Sequence, residues 1–251
     1  WQREIKSQTT KAGKKFSQSY LKTIHNQLSA MLNHAVRYYG LKWNVASKAG
    51  NMGSGTERKV DFWTQKEYQK FIEQVSDKPQ SFYSFEILYW CGLRIGELLA
   101  LTPKDFDFSH QSLIVDKTWD YKGDGGFLPT KNKSSVRKIQ LDWQTIIKFS
   151  ELIKGLPEDK PIFVKGRVFN STINGVLERY CKKLGIPVIS IHGLRHTHAS
   201  LLLFAGVSIA SVARRLGHAS MTTTQKTYIH IIQEMENRDI DLVMRSMAGL
   251  A

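Results

Sequence analysis

Apolar residues recur at three- and four-residue steps in "SQSYLKTIHNQLSAMLNHAVRYY", residues 17–39: Tyr20, Ile24, Leu28, Met31, Ala35 and Tyr38. That spacing predicts one buried helical face, with Ser17 placed to cap the start and Gly40 to end it. The opposite face carries Lys22, Asn26, Asn33 and Arg37. Residues 46–59, "ASKAGNMGSGTERK", are rich in Gly and Ser, lack periodicity, and predict a linker. Helical patterns resume at 64–76 and 79–91, where Gly92 breaks the run, and a third begins near Arg94 with "IGELLAL". The period then shortens. "SLIVDKTW" (112–119), the loop "YKGDGGF", and "FLPTK" and "VRKIQL" around a polar turn at 132–135 predict a three-stranded antiparallel sheet. From residue 142 the pattern is helical again, at 142–154, 170–184, 192–206, 208–216 and 231–247. The expected fold class is mainly α with one small three-stranded antiparallel sheet.

Composition narrows the setting. Cys91 and Cys181 both lie in apolar segments and read as reduced core residues of an intracellular protein. There is no run of eighteen apolar residues, and "WQREIKSQTTKAGKKF" is polar and basic, so a cytoplasmic protein with no membrane partner is expected. Charge says more. Lys and Arg number 36 against 22 Asp and Glu, a net charge of +14. Residues 1–59 alone hold eleven basic and two acidic side chains. Such a segment suits a polyanion, because each neutralised phosphate releases counterions; a solvated basic tail is the alternative. One helix and a basic lead are too little for an independent domain. With Trp at position 1, the chain is expected to be a fragment lacking its natural beginning. The expected division is 1–59, part of a helical domain plus linker, and 60–251, a second domain.

The stretch "ISIHGLRHTHASLL", residues 189–202, sets His192, Arg195, His196 and His198 among apolar positions. His192 and His196, four apart, have the spacing of two zinc ligands on one helix face. The glutamate of the metalloprotease motif is missing, and Arg195 between them would repel a cation, so no metal is expected. Four other places hold comparable polar groups: Arg94 in "CGLRIGELLAL", Lys131 in "PTKNKSSVRKIQL", His218 in "RRLGHASMTTTQKTY", and Tyr228 at its end. Singly, each has a plain explanation. Arg94 could pair with Glu97 one turn on, Lys131 could be a solvated turn residue, and Tyr228 a core aromatic.

Together, the ordered set Arg94, Lys131, His192-x-x-Arg195, His218, Tyr228 resembles the tyrosine recombinases, the lambda-integrase family, of phage and conjugative-transposon type. The wording "GLRIGELLAL", "HGLRHTHAS" and "LGHASMTTTQKTYIH" carries the likeness across 60–251, and residues 17–43 are similar to the last helix of the family's core-site DNA-binding domain. The resemblance implies the family's catalytic-domain fold and site-specific cutting and rejoining of DNA for integration and excision of a mobile element. It implies Tyr228 as covalent nucleophile, with a 3′-phosphotyrosyl intermediate.

Phosphoryl transfer gathers negative charge at phosphorus, and guanidiniums that stay protonated suit it, so Arg94 and Arg195 are expected to clamp the phosphate. A phenol with a pKa of about 10 needs help losing its proton. His192 stands nearest to a general base and His218 to a donor on a phosphate oxygen, while Lys131 would protonate the leaving 5′ oxygen. His196 and His198 fall outside the transfer set and are expected to pack or support. The phosphotyrosine conserves bond energy, so neither cofactor, ATP nor metal is expected. Double-stranded DNA is the expected partner, with Lys22, Asn26, Asn33, Arg37 and Lys133 as candidate contacts, in a bacterial, nucleoid-associated setting. A homotetramer exchanging the tail from Ile231 to Met247 between protomers, and DNA-bending accessory proteins, are further implications. A catalytically silent DNA-binding relative and a type IB topoisomerase remain the alternatives.

Overall fold

A computed structural model of the chain describes residues 1–55, 61–164, 166, 170–229 and 231–232. Residues 56–59 of the expected linker, residue 60, and nearly all of the expected 231–247 helix lie outside the described residues. The chain divides into two compact units, Trp1–Lys59 and Val60–Ala251.

In the first unit, α1 (Gln2–Ser7) is a short helix in the basic lead, and α2 (Gln18–Tyr38) starts where Ser17 accepts the backbone N–H of Tyr20. The buried seam of α2 sits one position away from the expected one. Leu21 and His25 are buried, while Tyr20, Met31 and Tyr38 are exposed, Met31 at 70%. Several apolar faces compete on this helix, and the packing of α3, with Ala46 buried, selects among them. The expected linker also proves partly helical. Asn44 accepts from the N–H groups of Ala46 and Ser47 and caps α3 (Val45–Ala49), a helix too short for periodicity to reveal. Asn44 Nδ2 reaches back to Ser29 and to Asn33 Oδ1 at 2.8 Å, so Asn33 helps hold α3 onto α2.

The second unit is built on helices whose starts were legible. Thr64 and Glu67 form a reciprocal capping box at α4 (Gln65–Val75). Pro79 opens α5 (Pro79–Cys91) and Gly92, at φ +61°, closes it in the left-handed region; α6 (Ile95–Leu99) follows. The sheet departs from expectation. The run 112–119 is two strands, β2 (Ser112–Val115) and β3 (Lys117–Trp119), which part at Asp116 and take different partners. β1 (Phe106–Asp107), β2 and β5 (Arg137–Gln140) make an antiparallel three-stranded sheet in the order β1-β2-β5. β3 pairs instead with β4 (Phe127–Pro129) in a separate hairpin. No Gly or Pro interrupts 112–119, so nothing local marks the change of partner at Asp116.

Helices α7 (Trp143–Ile153), α8 (Asn170–Leu184), α9 (Ile191–Phe204) and α10 (Ile209–Leu216) occupy the expected ranges, and α11 (Met221–Thr227) is an unexpected short addition. Ser190, Ser208 and Ser220 cap α9, α10 and α11. The core runs from Trp63, Phe71 and Phe85 to Phe149, Leu177 and Leu194, all at 0% exposure, and both cysteines lie free and buried in it. A second cluster gathers Ala199, Leu203, Val212, Leu216, Tyr228 and Ile231. Among the described residues no helix is long and apolar enough to cross a membrane.

Candidate active site

The site is organised by the end of one helix. The last carbonyls of an α-helix lack partners within it and carry the negative end of the helix dipole, so they draw cations. At the end of α10 three arginines from three elements take three consecutive carbonyls. Arg137 Nε, from β5, donates to Arg215 O at 2.7 Å; Arg195 Nη2, from α9, to Leu216 O at 2.6 Å; Arg94 Nη2, before α6, to Gly217 O at 3.3 Å. Gly217, at φ +68°, turns the chain so that these carbonyls can be shared; an added Cβ would sit 3.0 Å from Arg137 Nη1 and 3.1 Å from Ser135 Cα. His218 follows at once.

Three like charges in one place need compensation, and Glu97 supplies it. Its buried carboxylate accepts Arg94 Nη1 at 2.8 Å and both terminal nitrogens of Arg137, at 3.1 and 2.9 Å, and reaches back to the Arg94 backbone N–H. Burial alone would raise this carboxyl, but the hydrogen bonds and charge of Arg137, then Arg94, outweigh that and hold it below its ordinary value. Arg195 is 2% exposed and also donates to Gly92 O at 2.6 Å, at the turn that ends α5. Burial, then the Arg94 charge, lowers its pKa to about 9, so it stays protonated at neutral pH. Two of its five N–H donors are committed to these carbonyls.

Arg94, Lys131 and His218 line one cleft of 320 Å³, with Glu97, Thr118 and Gly217 among its other walls. His218 Nδ1 lies 2.8 Å from Thr224 Oγ1; burial, then Arg195 and Arg94, lowers its pKa to about 4, so at neutral pH it is an uncharged ring. His192 is lowered by desolvation, then by Arg195 and Arg94. Tyr228 stands just past α11, 1% exposed in the second apolar cluster, and burial raises its phenol while Arg195 pulls it down. Arg195 therefore acts electrostatically on His192, His218 and Tyr228 at once, which brings all of the sequence-expected groups except Lys131 into one neighbourhood; Lys131 joins through the cleft.

The phage integrase family matches residues 61–235 of this sequence. The chain belongs to that family. Like this integrase-family chain over 251 aligned residues is the ICEBs1 integrase of Bacillus subtilis, 28% identical across 90% of the chain and 65% of the relative. The integrase of Staphylococcus phage L54a is 31% identical over 60% of the chain and 48% of its own length. The chain thus spans half to two thirds of these relatives. Among solved structures, the Tn1549 transposon integrase in complex with a circular intermediate DNA shares the fold, with a TM-score of 0.71 at 22% identity over 88% of the chain and 80% of that protein.

Some placements differ from the reading of the sequence. Lys133 begins a 3-10 turn, Lys133–Ser135, within the polar turn expected at 132–135, and β4 ends already at Pro129. The group on the Tyr228 hydroxyl is His196, not His192: His196 Nδ1 lies 2.8 Å from the phenolic oxygen. His198 is buried in packing, accepting Arg215 Nε at 3.0 Å. Arg137 went unremarked although a signal existed. It sits two residues before buried Ile139 and so shares its inward strand face, where a charge requires a partner. Among the described residues no group of three His, Cys, Asp or Glu side chains could hold a metal.

Proposed function

We propose that this chain is the DNA-cutting core of a site-specific recombinase that integrates and excises a phage or other mobile element. The observation that carries this reading is the shared anchoring of Arg94 and Arg195 on adjacent carbonyls, beside a cleft that Lys131 and His218 line. Guanidiniums fixed in this way are oriented before substrate arrives, which is where electrostatic catalysis gains most. Arg94 and Arg195 bind the non-bridging oxygens of the scissile phosphate, His218 donates to one of them, and Lys131 protonates the leaving 5′ oxygen. Tyr228 attacks phosphorus and becomes a 3′-phosphotyrosyl ester, which a second strand's 5′ hydroxyl reopens, so the bond energy is kept without ATP. A silent relative would lack one of these groups, and every position is filled.

In this reading the unit Trp1–Lys59 is the end of a core-site DNA-binding domain, with Lys22, Asn26 and Arg37 facing phosphate; its eleven basic residues support that partner. A homotetramer on duplex DNA, with the apolar segment after Tyr228 exchanged between protomers and accessory proteins bending the DNA, completes the assembly, and a bacterial nucleoid is its setting. The test is covalent capture. A duplex nicked near the crossover, selected from a random-sequence library by denaturant-resistant adduct formation, is expected to trap the chain, and Tyr228→Phe to abolish the trap. An undiminished adduct in that variant overturns the assignment of the nucleophile; no adduct with any duplex overturns the function.

A further inference from the structure

Tyr228 is 1% exposed, so the acceptor best placed for its proton is a group already touching its hydroxyl. Among the described residues, the side chain hydrogen-bonded to the Tyr228 hydroxyl is His196, at 2.8 Å, with the rings meeting edge to face at 5.7 Å between centroids. His196 lies on α9 immediately after Arg195 and one helical turn beyond His192, whose ring meets it edge to face at 4.8 Å. The phenol, His196 and His192 therefore form a file leading away from the oxygen, and His192 is second in it.

We propose that His196 is a catalytic residue, the acceptor of the Tyr228 proton in strand cleavage. This rests on the reading of Tyr228 as nucleophile. The Tyr228 O–H bond breaks and its proton passes to His196 Nδ1 as the phenolic oxygen bonds to phosphorus; the P–O5′ bond breaks and the 5′ oxygen takes a proton from Lys131. The reverse step returns both protons. A neutral imidazole with hydrogen on Nε2 presents Nδ1 as the acceptor this requires. The charged and titratable groups facing His196 are His192 and Arg195 on its own helix, His218 after α10 and Tyr228 after α11. Burial, then the charges of His192, Arg195 and His218, lowers its pKa to about 4, which keeps the ring unprotonated at neutral pH. A phosphodiester seated on the guanidiniums brings a negative charge into the same neighbourhood and raises the ring toward a value suited to proton transfer.

The same hydrogen bond could instead be a latch that keeps the phenol out of reach, and the two roles predict opposite outcomes. Single-turnover cleavage of the captured nicked duplex is measured for His196→Ala and His196→Gln, with folding checked by thermal unfolding and DNA affinity by titration. A proton acceptor predicts cleavage at least about 100-fold slower in both variants with affinity unchanged. Glutamine keeps a hydrogen bond but cannot take the proton, so rescue by glutamine would overturn the proposal. Cleavage as fast as, or faster than, the unsubstituted chain in either variant would also overturn it. A fluorinated tyrosine at 228, whose phenol ionises more readily, is expected to recover at least tenfold of the rate lost in His196→Gln and far less in the unsubstituted chain; equal effects in both would count against proton transfer. Should the alanine variant not fold, the glutamine series decides alone. An adduct that forms in Tyr228→Phe would remove the underlying reading instead, so the two failures are separable.

Discussion

The two sides of the site are built in opposite ways. On one side three guanidiniums are pinned to consecutive carbonyls at the end of α10, and two of them, Arg94 and Arg137, share the carboxylate of Glu97. Each cation there has its orientation fixed by backbone that cannot shift without disturbing a helix end. On the other side Tyr228 is held among Ala199, Leu203, Val212 and Leu216, with its hydroxyl hydrogen-bonded to His196. The charge-binding side is complete as it stands. The Tyr228 side is sequestered in an apolar cluster.

The comparison is broken most severely at Arg94. Arg94→Ala leaves the Arg195 and Arg137 anchors in place, and is expected to slow single-turnover cleavage by about 100- to 1,000-fold, roughly 3–4 kcal/mol. DNA affinity is expected to change far less; equal losses of rate and affinity would make Arg94 an ordinary phosphate contact. Next comes Arg137, which meets the cleft wall through its hydrogen bonds to Glu97 and Ser135. Arg137→Ala leaves Glu97 buried with half its partners and is expected to destabilise the fold by about 3 kcal/mol in denaturant unfolding. An unchanged midpoint would mean the Glu97–Arg94 pair is self-sufficient.

A smaller effect sharpens the same contrast through pH. His198 is held neutral in the folded chain, its pKa lowered from 6.5 to about 3 by burial and by Arg215, whereas the unfolded ring protonates normally. The unfolded state therefore binds the extra proton, and stability falls as pH drops below 6.5 toward the folded value. Between pH 7 and pH 5 the loss from this ring alone is about 2 kcal/mol. His198→Gln is expected to flatten the slope of unfolding free energy against pH; an unaltered slope would place the titration elsewhere. Smallest is Gly217→Ala, where positive φ and the 3.0 Å approach to Arg137 are expected to destabilise the chain by about 1–2 kcal/mol and to slow cleavage modestly. No change in either measurement would show that the turn can adjust without moving the arginines.

Much of the fold could be read along the chain because helix ends announce themselves locally. Pro79 and Gly92 bound α5 at the expected residues, and α8 spans 170–184 as its periodicity implied. The sheet was harder. A period of two marks strands but not their partners, so the switch at Asp116 and the two-residue β1 were invisible. The site divided in the same way. Arg94, Lys131, His192, Arg195, His218 and Tyr228 stood out as an ordered set, whereas Arg137 and His196 did not, since their roles come from partners 40 and 32 positions away.

What the sequence alone determined were the family likeness carried by an ordered set of polar groups and the helices that hold them, because caps, breakers and period depend on neighbours a few residues apart. What only the tertiary structure decided was which atoms meet: three arginines on three successive carbonyls, a glutamate between two of them, and a second histidine on the phenol. Those meetings depend on how α9, α10, α6 and β5 pack around a common core. A side chain's partner across that core is set by the summed packing of many residues, and no local pattern encodes it.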